Sequence, residues 1–482
     1  MTVYDQERPL FLSALLDYCE QGVLPMHTPG HKQGGRMHQI FAEALRNWGV
    51  KLDIDPPVLW GPEGEVLPSC LLLRAREKAA SLFGAKRTFF LTNGTTAGIQ
   101  AMFLAAAKDG RVVIPRQTHG SVLGALILSG ADPVILPPEG TSTDLPDSRL
   151  PQDQLQSVLE SGSISAVFSQ NPSYYGFASD LAPMVKAAHQ AGVPVLVDEA
   201  HGPHFTFSRD LPPSALEQGA DLVAQSTHKL LTSLTGSSML HLSGDLISEE
   251  EVARFVELVQ STSPSFLLLA SLEATVYQYQ AIGGEITSQV LELAQDLRKR
   301  LQPIPGLRVL GESEVRELGY EYWDPTKVVL DCSGTGLTGL EVAELLRKEY
   351  LIQVEMADFA RILLILGPGD DVSSISRLEL ALEDLVARNH RKGEVPRVPL
   401  PRGGGEMALT PREAYFSPME VVAPTQAVGR ISAGIVAPYP PGIPVVIPGE
   451  VISEEQIEYV VRLSTFGFRI TGADSGIRVV RE

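Results

Sequence analysis

The sequence predicts an α/β fold: a large domain on a mostly parallel central sheet, then a smaller α/β domain and a C-terminal segment. Two observations carry that expectation. Short apolar runs alternate with helical patterns from about residue 70 to 240, and one long helical pattern then leads away from them. Strands are expected at Thr88–Leu91, Arg111–Pro115, Pro133–Leu136, Ala166–Ser169, Pro194–Val197 and Leu222–Ser226. Between them lie amphipathic stretches such as Leu181–Ala191, with apolar positions at helical spacing. Such alternation implies βαβ units, hence a parallel sheet with helices on both faces. Ligands of such sheets sit beyond the carboxyl ends of the strands.

The long helical pattern, Leu267 to Leu301, leads to a smaller domain over about 302–390, with strands expected at Val328–Leu330 and Ile362–Leu366. Residues 391–411 are rich in Pro, Gly and charge and read as a linker. The last segment carries the dense proline pattern APYPPGIPVVIPGE and is expected to pack on the body. The expected division is an N-terminal arm and entrance segment at 1–65, a large cofactor-binding domain at 66–300, a small domain at 301–395, and linker plus C-terminal domain at 396–482.

Bulk properties narrow the function. The 482 residues suffice for two or three packed domains, and 44% hydrophobic with 20% charged residues is ordinary for a globular chain. The net charge of −19, from 39 basic and 58 acidic residues, argues against nucleic acid or an anionic membrane as the main partner. No apolar run approaches the ~20 residues of a membrane span, and MTVYDQERPLF lacks a signal-peptide pattern. Cys19, Cys70 and Cys332 lie far apart and form neither a metal-ligand pattern nor an even disulfide framework. A cytoplasmic protein without a bound metal is expected.

The chemistry concentrates at two strand ends. In VPVLVDEAHG, Asp198 follows a continuous apolar strand; in DLVAQSTHKL, Lys229 follows another after a Ser-Thr-His turn. A Schiff-base lysine needs an amine near the ligand crevice with its pKa lowered by a partly dry site. A pyridine-type electron sink needs an acid beside its ring nitrogen. Taken singly, Asp198 reads equally well as a helix cap and Lys229 as a surface lysine. Their joint occurrence with a phosphate feature favours the functional reading. That feature is LTNGTTAGIQAM, where Gly94 permits a tight turn and Thr95 and Thr96 open a helix, a ready anion site although also ordinary capping. Ser226 and His228 are further phosphate donors. His119, after the apolar strand in IPRQTHGSV, could stack on a flat ring, and His201 could orient Asp198 or touch substrate.

The motifs GTTAG, RQTHGS, NPSYYGFASDL, VDEAHG, STHK, STSPSFLLLASLE and YPPGIPVVIPGE, in this order, resemble the Orn/Lys/Arg decarboxylase family. Its members are pyridoxal 5′-phosphate (PLP) enzymes of fold type I, the aspartate aminotransferase-like superfamily. The resemblance runs from about residue 25, at MHTPGHKQG, to about 475, and the chain looks like a short form without an N-terminal wing domain. It implies Lys229 as covalent anchor, Asp198 at the pyridine nitrogen, His119 stacked on the ring, and phosphate contacts from Thr95, Thr96, Ser226 and His228. In this superfamily the site lies at a dimer interface, so a homodimer or higher homo-oligomer is expected. Thr262 and Ser263 are candidates for reaching the neighbouring site, with helix capping as the alternative. Two departures stand out: Gly120 replaces the usual Lys after the stacking histidine, and LDIDPPVLWGPEG at 52–64 differs from the family's Asp-rich segment.

The resemblance implies decarboxylation of a cationic amino acid, arginine favoured over lysine or ornithine. Lys229 or His201 would protonate Cα. Glu450, at the end of the proline-stiffened loop, is the candidate partner of the distal cation. Two rivals stay open: another fold type I reaction such as transamination, for which Arg361 is suggestively placed although it reads better as a strand-edge charge, and a PLP-binding homologue without turnover.

Overall fold

The computed structural model describes residues 9–21, 29, 59–60, 66–67, 69–138, 144–389, 395, 398–401, 403–439 and 442–481. Apart from Leu59 and Trp60, the atypical 52–64 segment lies outside them. The large domain holds seven strands: β1 Arg87–Leu91, β2 Arg111–Pro115, β3 Asp132–Leu136, β4 Ala166–Gln170, β5 Val195–Asp198, β6 Leu222–Gln225 and β7 Ser238–Leu242. They stand in the order β1-β7-β6-β5-β4-β2-β3. The pairs β3–β2, β2–β4, β4–β5 and β5–β6 are parallel, whereas β7 runs antiparallel to both β6 and β1.

The apolar runs exist because both faces are covered. Val195 and Val197 join one buried cluster, with Ala14, Ala75, Val185 and Leu269 from helices on that face. Leu196 points to the other, with Ile99, Leu126 and Val252. All six strands expected from the sequence form, with ends shifted by a residue at most places. The sequence gives no sign of β7, where Ser238 and His241 interrupt the apolar pattern.

The helix Phe266–Leu301 connects the domains, and it is broken at Ile282, whose φ is −138°. Directly after the break, Gly283 packs so closely that a Cβ there would lie 2.9 Å from Phe207 Cδ1. The small domain is an antiparallel sheet in the order Arg308–Val309, Lys327–Asp331, Arg361–Ile365, Met356–Ala357, with the helices Gly339–Glu349 and Val372–Asn389 packed on its core. The C-terminal segment builds its own cluster around Val446, Val460 and Val479 and sends Ile447 into the large-domain core.

Candidate active site

Because β2, β4, β5 and β6 are parallel neighbours, their carboxyl ends line one crevice. Asp198 ends β5, in register with Gln170 and Ala224; it is buried, and its Oδ1 accepts the Ala200 N–H at 3.0 Å. Lys229 lies on the short helix Thr227–Leu230 that follows β6. His119 caps the helix Gly120–Ser129: its Nδ1 accepts the Ser121 N–H at 3.2 Å, and its own N–H donates to Gln170 Oε1 at 3.1 Å. Loss of water lowers the His119 pKa; Asp198 opposes that shift and Lys229 adds to it, so all three groups lie within electrostatic reach.

The Lys229 amine lies 3.0 Å from His201 Nε2. Burial lowers its proton affinity, with Asp198 and Glu355 opposing, which is the direction a nucleophilic lysine requires. His201 is buried and held well below its usual pKa, first by burial and then by the positive charges of Lys327 and Lys229. Both effects favour the neutral imidazole, and its Nδ1 has no partner among the described residues. The Tyr174 ring packs edge-on against it, centroids 4.7 Å apart at 62°. The Tyr174 hydroxyl donates to Glu355 Oε1 at 2.6 Å.

Gly94, at φ +70°, turns the chain out of β1 into the helix Gly94–Ala106 and donates its N–H to Gly236 O at 2.8 Å. Asn93 places no side-chain cap on that helix, and first-turn amides have no intrahelical acceptor, so they make a positive end suited to a phosphate. Thr96 is exposed there. Thr95 is buried, with its Oγ1 2.5 Å from Ser226 Oγ and 2.7 Å from Ser238 Oγ. His228 Nδ1 lies 2.6 Å from Ser237 O. The amine, the buried acid, the imidazole and the uncapped helix end together fit PLP, whose aldehyde, ring nitrogen, ring face and phosphate each find a matching group.

Other expected residues stand elsewhere. Thr262 and Ser263 are exposed, and the Ser263 N–H donates to Ser261 Oγ at 3.1 Å within their own loop. Glu450 is 1% exposed and paired with Arg116 at 3.3 Å, where it also accepts from Ile447 N and Gln456 Nε2. Arg361 is not a free strand-edge charge: it is buried and paired with Asp144 at 2.6 Å and Asp358 at 3.3 Å. A Cβ at Gly120 would meet Gly442 O at 3.8 Å, an ordinary contact, so space does not demand glycine there.

The sequence reading missed Tyr174, Glu355 and Lys327, which come from a loop after β4 and from the small domain. Tyr174 falls within NPSYYGFASDL, so its motif was visible although its role was not. Glu355 and Lys327 carry no local signal, because their partners are distant in the chain.

The sequence matches the profile of the Orn/Lys/Arg decarboxylase major domain over residues 8–374 and that of the family's C-terminal domain over 402–480. It is 35% identical to the arginine decarboxylase of Bacillus subtilis (strain 168), covering 99% of this chain and 98% of the relative. It is 34% identical to the arginine decarboxylase of Bacillus anthracis, with the same shares covered. Among solved structures, the Francisella novicida lysine decarboxylase LdcF superposes with a TM-score of 0.81 at 21% identity, over 98% of this chain and 81% of that one, a likeness of fold.

Proposed function

Since the chain belongs to the Orn/Lys/Arg decarboxylase family and is therefore a PLP-dependent amino acid decarboxylase, we propose that its substrate is arginine, released as agmatine and CO2. The observation that carries the reading is the convergence of Lys229, Asp198 and His119 at adjoining strand ends. Full-length similarity to arginine decarboxylases supports the choice of substrate.

PLP, when bound, supplies an electron sink for the pair of electrons left on Cα as CO2 departs. The chain's residues do the rest. Lys229 would hold the cofactor, and burial lowers the proton affinity of its amine, the direction a nucleophile requires. Asp198 would keep a proton on the pyridine nitrogen, and His119 would cover one ring face. The reaction consumes one proton, and the 3.0 Å contact between His201 and Lys229 gives it a path to Cα. The amides of Thr95 and Thr96, with Ser226 and His228, would hold the phosphate, the Gly94 N–H being taken up by Gly236 O.

Glu355 is exposed, yet its charge is felt at Lys229, so it is the carboxylate we assign to the distal guanidinium. Glu450, buried against Arg116, instead helps hold the proline loop, whose Val445 carbonyl Arg116 also bonds. The engagement of Arg361 with Asp144 and Asp358 favours decarboxylation over transamination, which needs a free cation for the α-carboxylate. The exposure of Thr262 and Ser263 is compatible with their reaching a partner's site in a homodimer. No helix among the described residues is long and apolar enough to cross a membrane, and we place the enzyme in the cytoplasm, in polyamine synthesis.

The test is to load purified protein with PLP, record the visible absorbance that borohydride removes, and follow CO2 release from arginine, lysine and ornithine in parallel. Arginine should give the highest kcat/KM. A keto acid in place of CO2 and amine, or bound PLP with no turnover, would overturn the reading.

A further inference from the structure

Lys327 opens the central small-domain strand Lys327–Asp331 and is 1% exposed. Its Nζ donates to the Tyr174 carbonyl at 2.9 Å and lies 5.5 Å from the centre of the Tyr174 ring. Its stem runs beneath Gly176, where φ is +87° and a Cβ would come within 2.9 Å of Lys327 Cδ. Around this contact the two domains are stitched together: Asp324 N–H donates to Gly176 O at 2.7 Å, and Tyr322 and Trp323 pair with Ala178 and Phe177. Tyr174 packs against His201, and His201 contacts Lys229. We propose that Lys327 is a positioning residue for the reaction, pinning the Tyr174 loop so that Tyr174 and His201 present the imidazole Nε2 to the Lys229 amine.

A methionine would fill the same space without drawing an ammonium out of water. What the lysine adds is the bond to Tyr174 and a positive charge near His201. The charges facing Lys327 are Asp324 and Glu355, which favour its protonated form, and Lys229, which opposes it; burial brings its pKa down to about 7. His201 faces Lys327, Lys229, His119 and His204, all of which disfavour its protonation. Asp324 in turn lies 3.1 Å from His204 Nε2. Where Lys327 carries its charge it adds to the burial that already disfavours protonation of His201, and its removal makes the cluster easier to protonate.

The inference rests on Lys229 being the cofactor anchor. The experiment compares the wild-type holoenzyme with Lys327→Met and Lys327→Arg, reading the pH at which the absorbance of cofactor bound at Lys229 changes, together with kcat and KM for arginine. For Lys327→Met the midpoint should rise by about one pH unit, and kcat should fall about 10- to 100-fold with KM moving less than about 3-fold. Lys327→Arg, which keeps the charge but whose longer, bulkier guanidinium does not fit the tight space beneath Gly176 in place of the single contact to Tyr174 O, should hold the midpoint and still lose kcat. A folded Lys327→Met enzyme with wild-type midpoint and kcat overturns the proposal. If that variant does not fold, unaltered kcat in Lys327→Arg overturns it. Wild-type protein with no borohydride-fixable PLP at Lys229 defeats the functional reading itself, and this inference with it.

Discussion

The Tyr174 hydroxyl donates to the Glu355 carboxylate across 2.6 Å, joining a large-domain loop to the small domain at the mouth of the crevice. That bond aims an exposed acid whose charge reaches Lys229. A charge-assisted bond to a guanidinium is worth about 1.5–3 kcal/mol. Glu355→Gln should therefore raise KM for arginine by about 10- to 100-fold, and Tyr174→Phe, which frees the carboxylate without removing it, should have a smaller effect in the same direction. Steady-state kinetics decide the matter: an unchanged KM in Glu355→Gln would remove Glu355 from substrate recognition.

Lys229→Ala should abolish the visible absorbance that borohydride fixes, while leaving the fold intact, because the site is built on strand ends. Turnover should fall by at least about 10³-fold, within the range a proton-transferring group contributes. Peptide mapping after borohydride reduction of the wild type should find the cofactor on the peptide containing Lys229. Label on any other lysine would displace the anchor.

The parallel strands were legible because burial on both faces writes them as apolar runs. Lys229 and Asp198 were legible because they follow such runs. β7 was not, since its polar His241 is satisfied only in three dimensions: Nδ1 lies 2.8 Å from Thr88 Oγ1 and Nε2 3.1 Å from Gln225 Oε1. The same holds for Lys327, Tyr174 and Glu355, whose meaning depends on how two domains meet. Glu450 shows the converse. Its loop made it look like an acid waiting for a substrate, but its cation is Arg116, 334 residues away in the chain.

That pair gives a prediction about stability. Arg116 and Glu450 are 7% and 1% exposed at the side chain, and Arg116 also bonds the carbonyls of Pro444 and Val445. Breaking a buried ion pair from one side leaves an uncompensated charge, at a cost of about 3–5 kcal/mol. Glu450→Ala should lose that much unfolding free energy in urea titrations. Were Glu450 instead the substrate's partner, Glu450→Gln would raise KM for arginine and leave the urea midpoint in place.

The last prediction concerns pH and two buried groups beneath the crevice. Glu199 is fully buried, accepting from Ala215 N at 2.6 Å and Gln225 Nε2 at 2.7 Å, and loss of water raises its pKa from 4.5 to about 8. Between those values the folded chain keeps a proton the unfolded chain has lost, so this group's stabilisation is complete below pH 4.5 and drains away as pH rises towards 8, at about 1.4 kcal/mol per unit. His241 acts in the other direction: burial lowers its pKa from 6.5 to about 3, so its stabilisation is present above pH 6.5 and is lost as pH falls. The two slopes cancel between pH 4.5 and 6.5; between 6.5 and about 7 Glu199 acts without His241, and above about 7 Lys327, whose pKa burial lowers from 10.5 to about 7, adds an opposing rise. Glu199→Gln should remove the Glu199 slope, so that its unfolding free energy gains on that of the wild type by about 1.4 kcal/mol per pH unit between 6.5 and 8 while the loss below 4.5 stays. Urea titrations of both proteins across that range test it, and parallel curves above pH 6.5 would show that Glu199 is ionised in the folded protein.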